Sequence, residues 1–221
     1  HVLVGAVAPQ SAIELRQEIR PFDLEVGVGR GTHVLQAVEV DFHRVDQVRK
    51  LVRDVWKAKH GFSLTYLPFI GNAVCRALQD FPHLNSSVQG DSLLLHPHVN
   101  LAIAVDLGAE GLVAPVIKSA EKLSVAQLAD AITDIAQRAR ANRLKPDDFT
   151  GGTYTLSNSG VFGTLITAPI INQPQVAILG LGAIVRRPVV VVDETGADSI
   201  AIRSMVYLAL TYDHRLVDGA D

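Results

Sequence analysis

The sequence has a single cysteine, Cys75, so no disulfide can close within the chain. That scarcity fits a reducing compartment. Cys75 falls in an apolar helical pattern and reads as core packing rather than as a reactive thiol. Long apolar runs are missing, since none approaches the roughly 18 residues of a membrane span. Residues 1–9 are apolar, yet too short for a secretory signal and without its basic start. An initial Met is also missing, which predicts a fragment or a processed chain. No strong charge excess exists either. The formal net charge is -3, and nothing in it calls for nucleic acid or an anionic membrane. There are no internal repeats and no long linkers.

What is present suits a globular protein. The 221 residues are 48% hydrophobic and 19% charged, within the range of one large domain with a substantial core. Residues 1–31 are the least legible and form a poorly defined N-terminal arm or linker remnant; residues 32–221 form the main domain. Ser11 to Arg20 predicts a short helix. Gly27 to Gly31 lacks the strand-turn-helix setting of a phosphate loop and reads as a plain loop.

From Val34 onward the periodicities sharpen. Val38, Val40 and Phe42 alternate with Glu39 and Asp41, as in a half-buried strand. Val45, Val48, Leu51, Val52, Val55 and Trp56 then recur at helical spacing, with Arg44, Arg49, Lys50 and Arg53 on the other side. Gly61 ends that helix. Thr65 is placed to cap a second helix, with Pro68 in its first turn and Ile70, Ala73, Val74, Ala77 and Leu78 as its buried stripe. Ser86 to His96 reads as a hairpin turning at Gly90-Asp91. Val99 to Val105 and Leu112 to Ile117 are strands around a turn bracketed by Gly108 and Gly111. Ser124-Val125-Ala126-Gln127 is a capping box, and Leu128, Ile132, Ile135, Ala136 and Ala139 line the helix beyond it. Thr153 to Ser157, Val176 to Leu181 and Val189 to Val192 are strands, and Asp193 to Asp198 is a polar hairpin tip. The fold class is therefore α/β in the broad sense, an α+β two-layer sandwich with a mixed sheet covered by helices.

The chemistry concentrates near the end. Met205 to Leu210 reads as a buried strand, and Thr211-Tyr212-Asp213-His214-Arg215-Leu216-Val217-Asp218-Gly219 follows it. Burying such a titratable cluster costs several kcal/mol unless it is paired. Histidine takes and returns a proton near neutral pH. A histidine with a carboxylate nearby can draw a proton from a thiol or hydroxyl. Asp213 is adjacent to His214 on the strand and should point to the opposite face. His96 and His98, either side of Pro97, offer no third ligand, so no metal site is expected.

The run Tyr-Asp-His-Arg-Leu-Val-Asp-Gly resembles the His-x-x-x-Asp-Gly signature of the dihydrolipoamide acyltransferases, core subunits of 2-oxo acid dehydrogenase complexes with a chloramphenicol acetyltransferase-like fold. Gly111 to Val116, Gly151 to Asn158, Gly160 to Gly163 and Pro169 to Gly180 are similar to the same family, in the same order. The resemblance covers about Thr32 to Asp221. The family continues past this position through a final helix and tail. The chain carries no lipoyl domain, so the lipoyl group is expected on a separate domain.

This resemblance implies transfer of an acyl group between dihydrolipoamide and coenzyme A, which is a substrate here. It implies His214 as general base, Ser157 as donor to the oxyanion, and Asp218 as the residue that orients the His214 loop. It implies a homotrimer with its site at the subunit interface, and a larger multimeric core. The partners implied are a lipoyl domain, the 2-oxo acid decarboxylase-dehydrogenase and dihydrolipoamide dehydrogenase, in a bacterial cytoplasm. Val161 to Gly163 and Pro169 to Asn172 lean toward succinyltransferases. The hairpin from Arg186 to Ser204 is more similar to actinobacterial enzymes whose names mix acetyl and succinyl. Two other functions compete: a scaffolding core with little activity, and a coenzyme A-dependent O-acyltransferase of the chloramphenicol acetyltransferase type.

Overall fold

The computed structural model describes residues 16–18, 33–89 and 92–218. The strands are β1 (Arg16–Glu18), β2 (His33–Asp41), β3 (Ser86–Gln89), β4 (Ser92–Leu95), β5 (Leu101–Ile103), β6 (Val105–Asp106), β7 (Leu112–Val113), β8 (Val116–Ile117), β9 (Tyr154–Asn158), β10 (Ala177–Leu181), β11 (Val185–Val192) and β12 (Asp198–Asp213). The helices are α1 (His43–His60), α2 (Leu67–Asp80) and α3 (Val125–Arg140).

A seven-stranded sheet organises the molecule. Its order is β11-β12-β10-β9-β5-β8, with β2 on the other side of β12. β9 runs parallel to β5 and to β10, whereas β12 is antiparallel to β2, β10 and β11. The sheet is therefore mixed, and the long strand β12 is its hub. A smaller sheet joins β1, β4 and β3, and β6 pairs with β7. Arg16–Glu18 is thus a strand where the sequence suggested part of a helix. The pairing to β4 supplies its backbone partners. The rest of Ser11 to Arg20, the Gly27 to Gly31 loop and the Gly90-Asp91 turn lie outside the described residues, although β3 and β4 pair as the expected hairpin.

Alternation along β9 and β10 gives the sheet two faces. One carries Leu101, Leu156 and Leu179 into the core with Leu128, Ile132 and Ile135 of α3. Gly71 lets α2 pack closely against α3 and the sheet, since an added Cβ would meet the Leu128 side chain at 2.9 Å and the Leu101 side chain at 3.4 Å. The other face is covered by residues 164–175, where Pro169 and Thr167 pack over Gly180. Ser124 caps α3 as expected: Gln127 N–H donates to its hydroxyl at 3.3 Å, and its own N–H donates to the Gln127 side chain at 2.9 Å.

Three local expectations are corrected. The helix α1 forms, but its apolar stripe faces outward, with Leu51 and Val55 82% and 73% exposed. Its buried residue is Asp46, clamped from several sides. Lys50 and Arg49 reach its carboxylate at 2.6 and 3.3 Å, while the hydroxyls of Tyr66 and Ser204 donate to it at 2.5 and 3.2 Å. Burial pushes the Asp46 pKa up, yet the hydrogen bonds from Lys50, Tyr66 and Arg49 outweigh it and hold the carboxyl well below the usual carboxylate range. The cap of α2 is Tyr66, not Thr65, and it makes no side-chain capping bond. The buried face of α2 is Pro68, Ile70, Gly71, Cys75 and Leu78, while Ala73 and Ala77 are exposed. Cys75 behaves as core: burial pushes its thiol up to about 12. Among the described residues no helix is long and apolar enough to cross a membrane.

Candidate active site

His214 sits immediately beyond β12, in the first position of a turn. The turn closes because the Asp213 carbonyl accepts from the N–H groups of Leu216 and Val217 at 3.0 and 3.3 Å. The imidazole side chain is 45% exposed. Its ring centroid lies 5.8 Å from that of Tyr212, which is otherwise buried and whose hydroxyl has no hydrogen-bond partner. The Asp218 carboxylate is exposed, and its Oδ1 stands 3.8 Å from His214 Nδ1. That is an ion-pair distance, beyond a hydrogen bond.

Asp213 does not serve His214. Its buried carboxylate receives Arg215 Nε at 2.9 and 3.1 Å, Arg215 Nη2 at 2.5 Å, and the Arg215 backbone N–H at 3.1 Å. The hydrogen bond to Asp213 raises the Arg215 pKa further above its ordinary value.

Ser157 comes from β9, near the end where that strand leaves the sheet. Its hydroxyl makes no hydrogen bond to any described residue. Ser157 is among the residues lining a cleft of about 890 Å³, with Tyr66, Thr133, Arg140, Phe162, Leu181 and Val206. The loop after Ser157 is fixed by backbone contact. Ser159 N–H donates to the Leu181 carbonyl at 3.1 Å, Asn158 Oδ1 accepts from Gly160 N–H at 3.1 Å, and Ala183 N–H donates to the Thr164 carbonyl at 2.8 Å. An added Cβ would lie 2.3 Å from the Gly182 oxygen at Gly160, and 1.9 Å from the Leu165 oxygen at Gly182. Both glycines are required by close backbone approach.

Strand register fixes how far apart the predicted residues are. Ser157 pairs with Gly180, and Gly180 pairs with Ala209. His214 lies five residues beyond Ala209, at the end of the sheet where β9 and β10 begin. The offset along the strand is about 16 Å and the spacing across two strands about 10 Å, a separation of roughly 19 Å. One chain therefore keeps His214 and Ser157 apart, and of the predicted trio only His214 and Asp218 are neighbours.

Sequence reasoning missed Asp213 and Arg215 as a pair and Tyr66 as part of the cleft wall. The first had a readable signal, because opposite charges two residues apart across a turn can fold onto one another. Tyr66 had none, since its partners Asp46 and Arg49 lie 20 and 17 positions away. His96 and His98 are engaged separately: His96 Nε2 lies 3.0 Å from the Ser87 hydroxyl, and His98 Nδ1 lies 2.9 Å from Glu121. Burial lowers the His96 pKa.

Comparison with known proteins places this geometry. The model of the 2-oxoacid dehydrogenases acyltransferase catalytic domain matches residues 30–221. Over 188 residues the chain is 51% identical to the dihydrolipoyllysine-residue acetyltransferase component of the Corynebacterium glutamicum pyruvate dehydrogenase complex, covering 84% of this chain and 28% of that protein. It is 42% identical over 183 residues to the succinyltransferase component of the 2-oxoglutarate dehydrogenase complex of Bartonella vinsonii, covering 83% and 43%. The chain thus spans less than half the length of these relatives.

Among solved structures, the dihydrolipoamide acetyltransferase of Azotobacter vinelandii is similar at a TM-score of 0.77 and 35% identity, covering 85% of this chain and 75% of that one. A serine, a histidine and an asparagine have been investigated in its catalytic mechanism. The cubic core of a pyruvate dehydrogenase multienzyme complex is similar at 0.79 and 33%, covering 90% and 80%. Chloramphenicol acetyltransferase shares the fold at 0.54 and 15%, covering 86% and 83%. With the family model spanning nearly the whole described sheet and both motif strands, the chain belongs to the 2-oxoacid dehydrogenase acyltransferase catalytic domains.

Proposed function

We propose that the chain transfers an acyl group between a dihydrolipoyl thiol and coenzyme A, as the core of a 2-oxo acid dehydrogenase complex, and that its active site is built from two copies. The observation that carries this reading is the strand register, which holds His214 roughly 19 Å from Ser157 within one chain. A general base must lie within about 3 Å of the proton it takes, and an oxyanion donor must meet the same reacting carbonyl. The two side chains can serve one carbonyl only if a second copy brings its His214 to the Ser157 cleft. The apolar side chains of Val161 and Phe162, which line that cleft, are 70% and 68% exposed, and exposed apolar side chains of this kind suit an interface.

In the proposed reaction, His214 takes the thiol proton of coenzyme A or of dihydrolipoamide. A free thiol has a pKa of about 8.5, so little thiolate exists at neutral pH without a base. The thiolate attacks the thioester carbonyl, and the Ser157 hydroxyl donates to the oxygen as negative charge builds there. The tetrahedral intermediate collapses, expels the second sulfur as thiolate, and His214 returns the proton to it. Asp218, 3.8 Å away, orients the His214 loop and does not accept the proton. The acyl-bearing lipoyl group arrives on a separate domain. The partners are the decarboxylase-dehydrogenase and dihydrolipoamide dehydrogenase, in a homotrimer or a larger assembly in the bacterial cytoplasm.

Acetyl is the acyl group we favour. The relative at 51% identity carries an acetyltransferase name and the one at 42% a succinyltransferase name. Leu181, Ile184 and Val206 give the cleft that Ser157 lines an apolar part that suits a short acyl chain. Steady-state transfer from acetyl- and succinyl-coenzyme A to dihydrolipoamide tests the reading. Turnover with acetyl-coenzyme A at the higher kcat/KM is expected; no turnover with either thioester contradicts it.

A further inference from the structure

The structure assigns Asp213 and Arg215 as a positioning pair that aims the His214 imidazole, a role separate from that of Asp218. This inference rests on His214 being the base. The residues on either side of His214 are tied to each other rather than to it. Arg215 folds back so that its Nε and Nη2 reach both oxygens of Asp213, at 2.5 to 3.1 Å, and its backbone N–H donates to Oδ1 at 3.1 Å. Asp213 is also the hub of the turn. Its N–H donates to the Val176 carbonyl at 2.9 Å, and its carbonyl accepts from Leu216 and Val217.

Every polar group of Asp213 thus serves the backbone on which His214 is mounted. The pair is 7% and 21% exposed by side chain, so solvent screens it little. A fork-to-carboxylate contact of this kind fixes orientation as well as distance. By contrast, Asp218 is 81% exposed by side chain and 3.8 Å from the ring, which leaves the imidazole without a close tether from that side.

The need for such a clamp follows from the two-copy site. A base delivered across a boundary must hold its direction without help from the chain that carries Ser157. A displacement of about 1 Å at a reacting group can cost on the order of 100-fold in rate. The clamp restrains His214 through the backbone on both sides. It leaves both ring nitrogens available and does not set the charge of the ring.

The test is kinetic, on the assembled protein, with Asp213→Asn, Arg215→Lys and the double variant. Arg215→Lys keeps the charge and loses the fork, and it covers the case in which Asp213→Asn fails to fold. Each single variant is expected to lower kcat roughly 10- to 100-fold with KM for coenzyme A unchanged. The double variant should fall no further than the worse single one, because both break one device. The acid limb of the kcat/KM pH profile should stay where the wild type has it. Full kcat per assembled site, with only thermal stability reduced, would make the pair merely structural and overturn the inference. Additive losses, or a displaced acid limb, would overturn it as well. A wild type without acyl transfer, or one indifferent to His214→Ala, would instead refute the reading of His214 as base.

Discussion

At the scale of single residues, the side chains proposed to react are distinct from those that hold them in place. His214→Ala should lower acyl transfer by about 100- to 10,000-fold while the oligomer keeps its size by light scattering. Ser157→Ala removes one donor to the oxyanion and should cost about 3 kcal/mol in kcat, measured by the same assay. Asp46 makes a pH prediction. Its folded pKa lies below its unfolded value of 3.8. The stability it contributes is therefore complete above about pH 4 and is lost as pH falls below that. Asp46→Asn should cost on the order of 3–5 kcal/mol at neutral pH, and the gap between variant and wild type in denaturant titrations should narrow as the pH drops through that window. A gap independent of pH would mean that the clamp on Asp46 acts through shape alone.

The residues proposed to carry chemistry were legible because they sit in contiguous motifs. His214, Asp218 and Ser157 could be named from the runs around them. Asp46 could not, since its clamp draws Ser204 from 158 positions away. Nor could the sequence tell that Asp213 is committed to Arg215, although alternation placed it away from His214.

At the scale of elements, local rules succeeded where the partners are local. The capping box at Ser124 and Gln127 is closed by residues three apart, and α3 begins where it predicts. Ser124→Ala should lower stability by about 1 kcal/mol, seen as a reduced thermal midpoint with kcat unaltered. Periodicity failed for α1 because it reports that a face is apolar, not that something covers it. Val48 is 50% exposed on that face, while the polar Asp46 is buried. The loop after β9 depends on Gly160 and Gly182. An alanine at Gly182 would drive its Cβ to within 1.9 Å of a backbone oxygen, which no rotamer change relieves. We expect Gly182→Ala to destabilise by at least about 2–3 kcal/mol and to lower transfer through displaced Ser157. A variant with wild-type stability would show that the loop is not held as tightly as the backbone contacts indicate.

At the scale of the molecule, the sheet sets what one copy can do. Its mixed order, with β12 at the hub, places His214 where β9 and β10 begin and Ser157 near where β9 ends. The fold class followed from the alternation of hairpins and helices, but the separation of the two residues depends on long-range register, which no local pattern encodes. The most direct test mixes two inactive proteins, Ser157→Ala and His214→Ala, after reversible dissociation. Two-copy sites predict that acyl transfer returns, because some interfaces pair an intact Ser157 of one chain with an intact His214 of another. A mixture as inactive as either variant alone, with mixed oligomers confirmed by native mass spectrometry, would contradict the account.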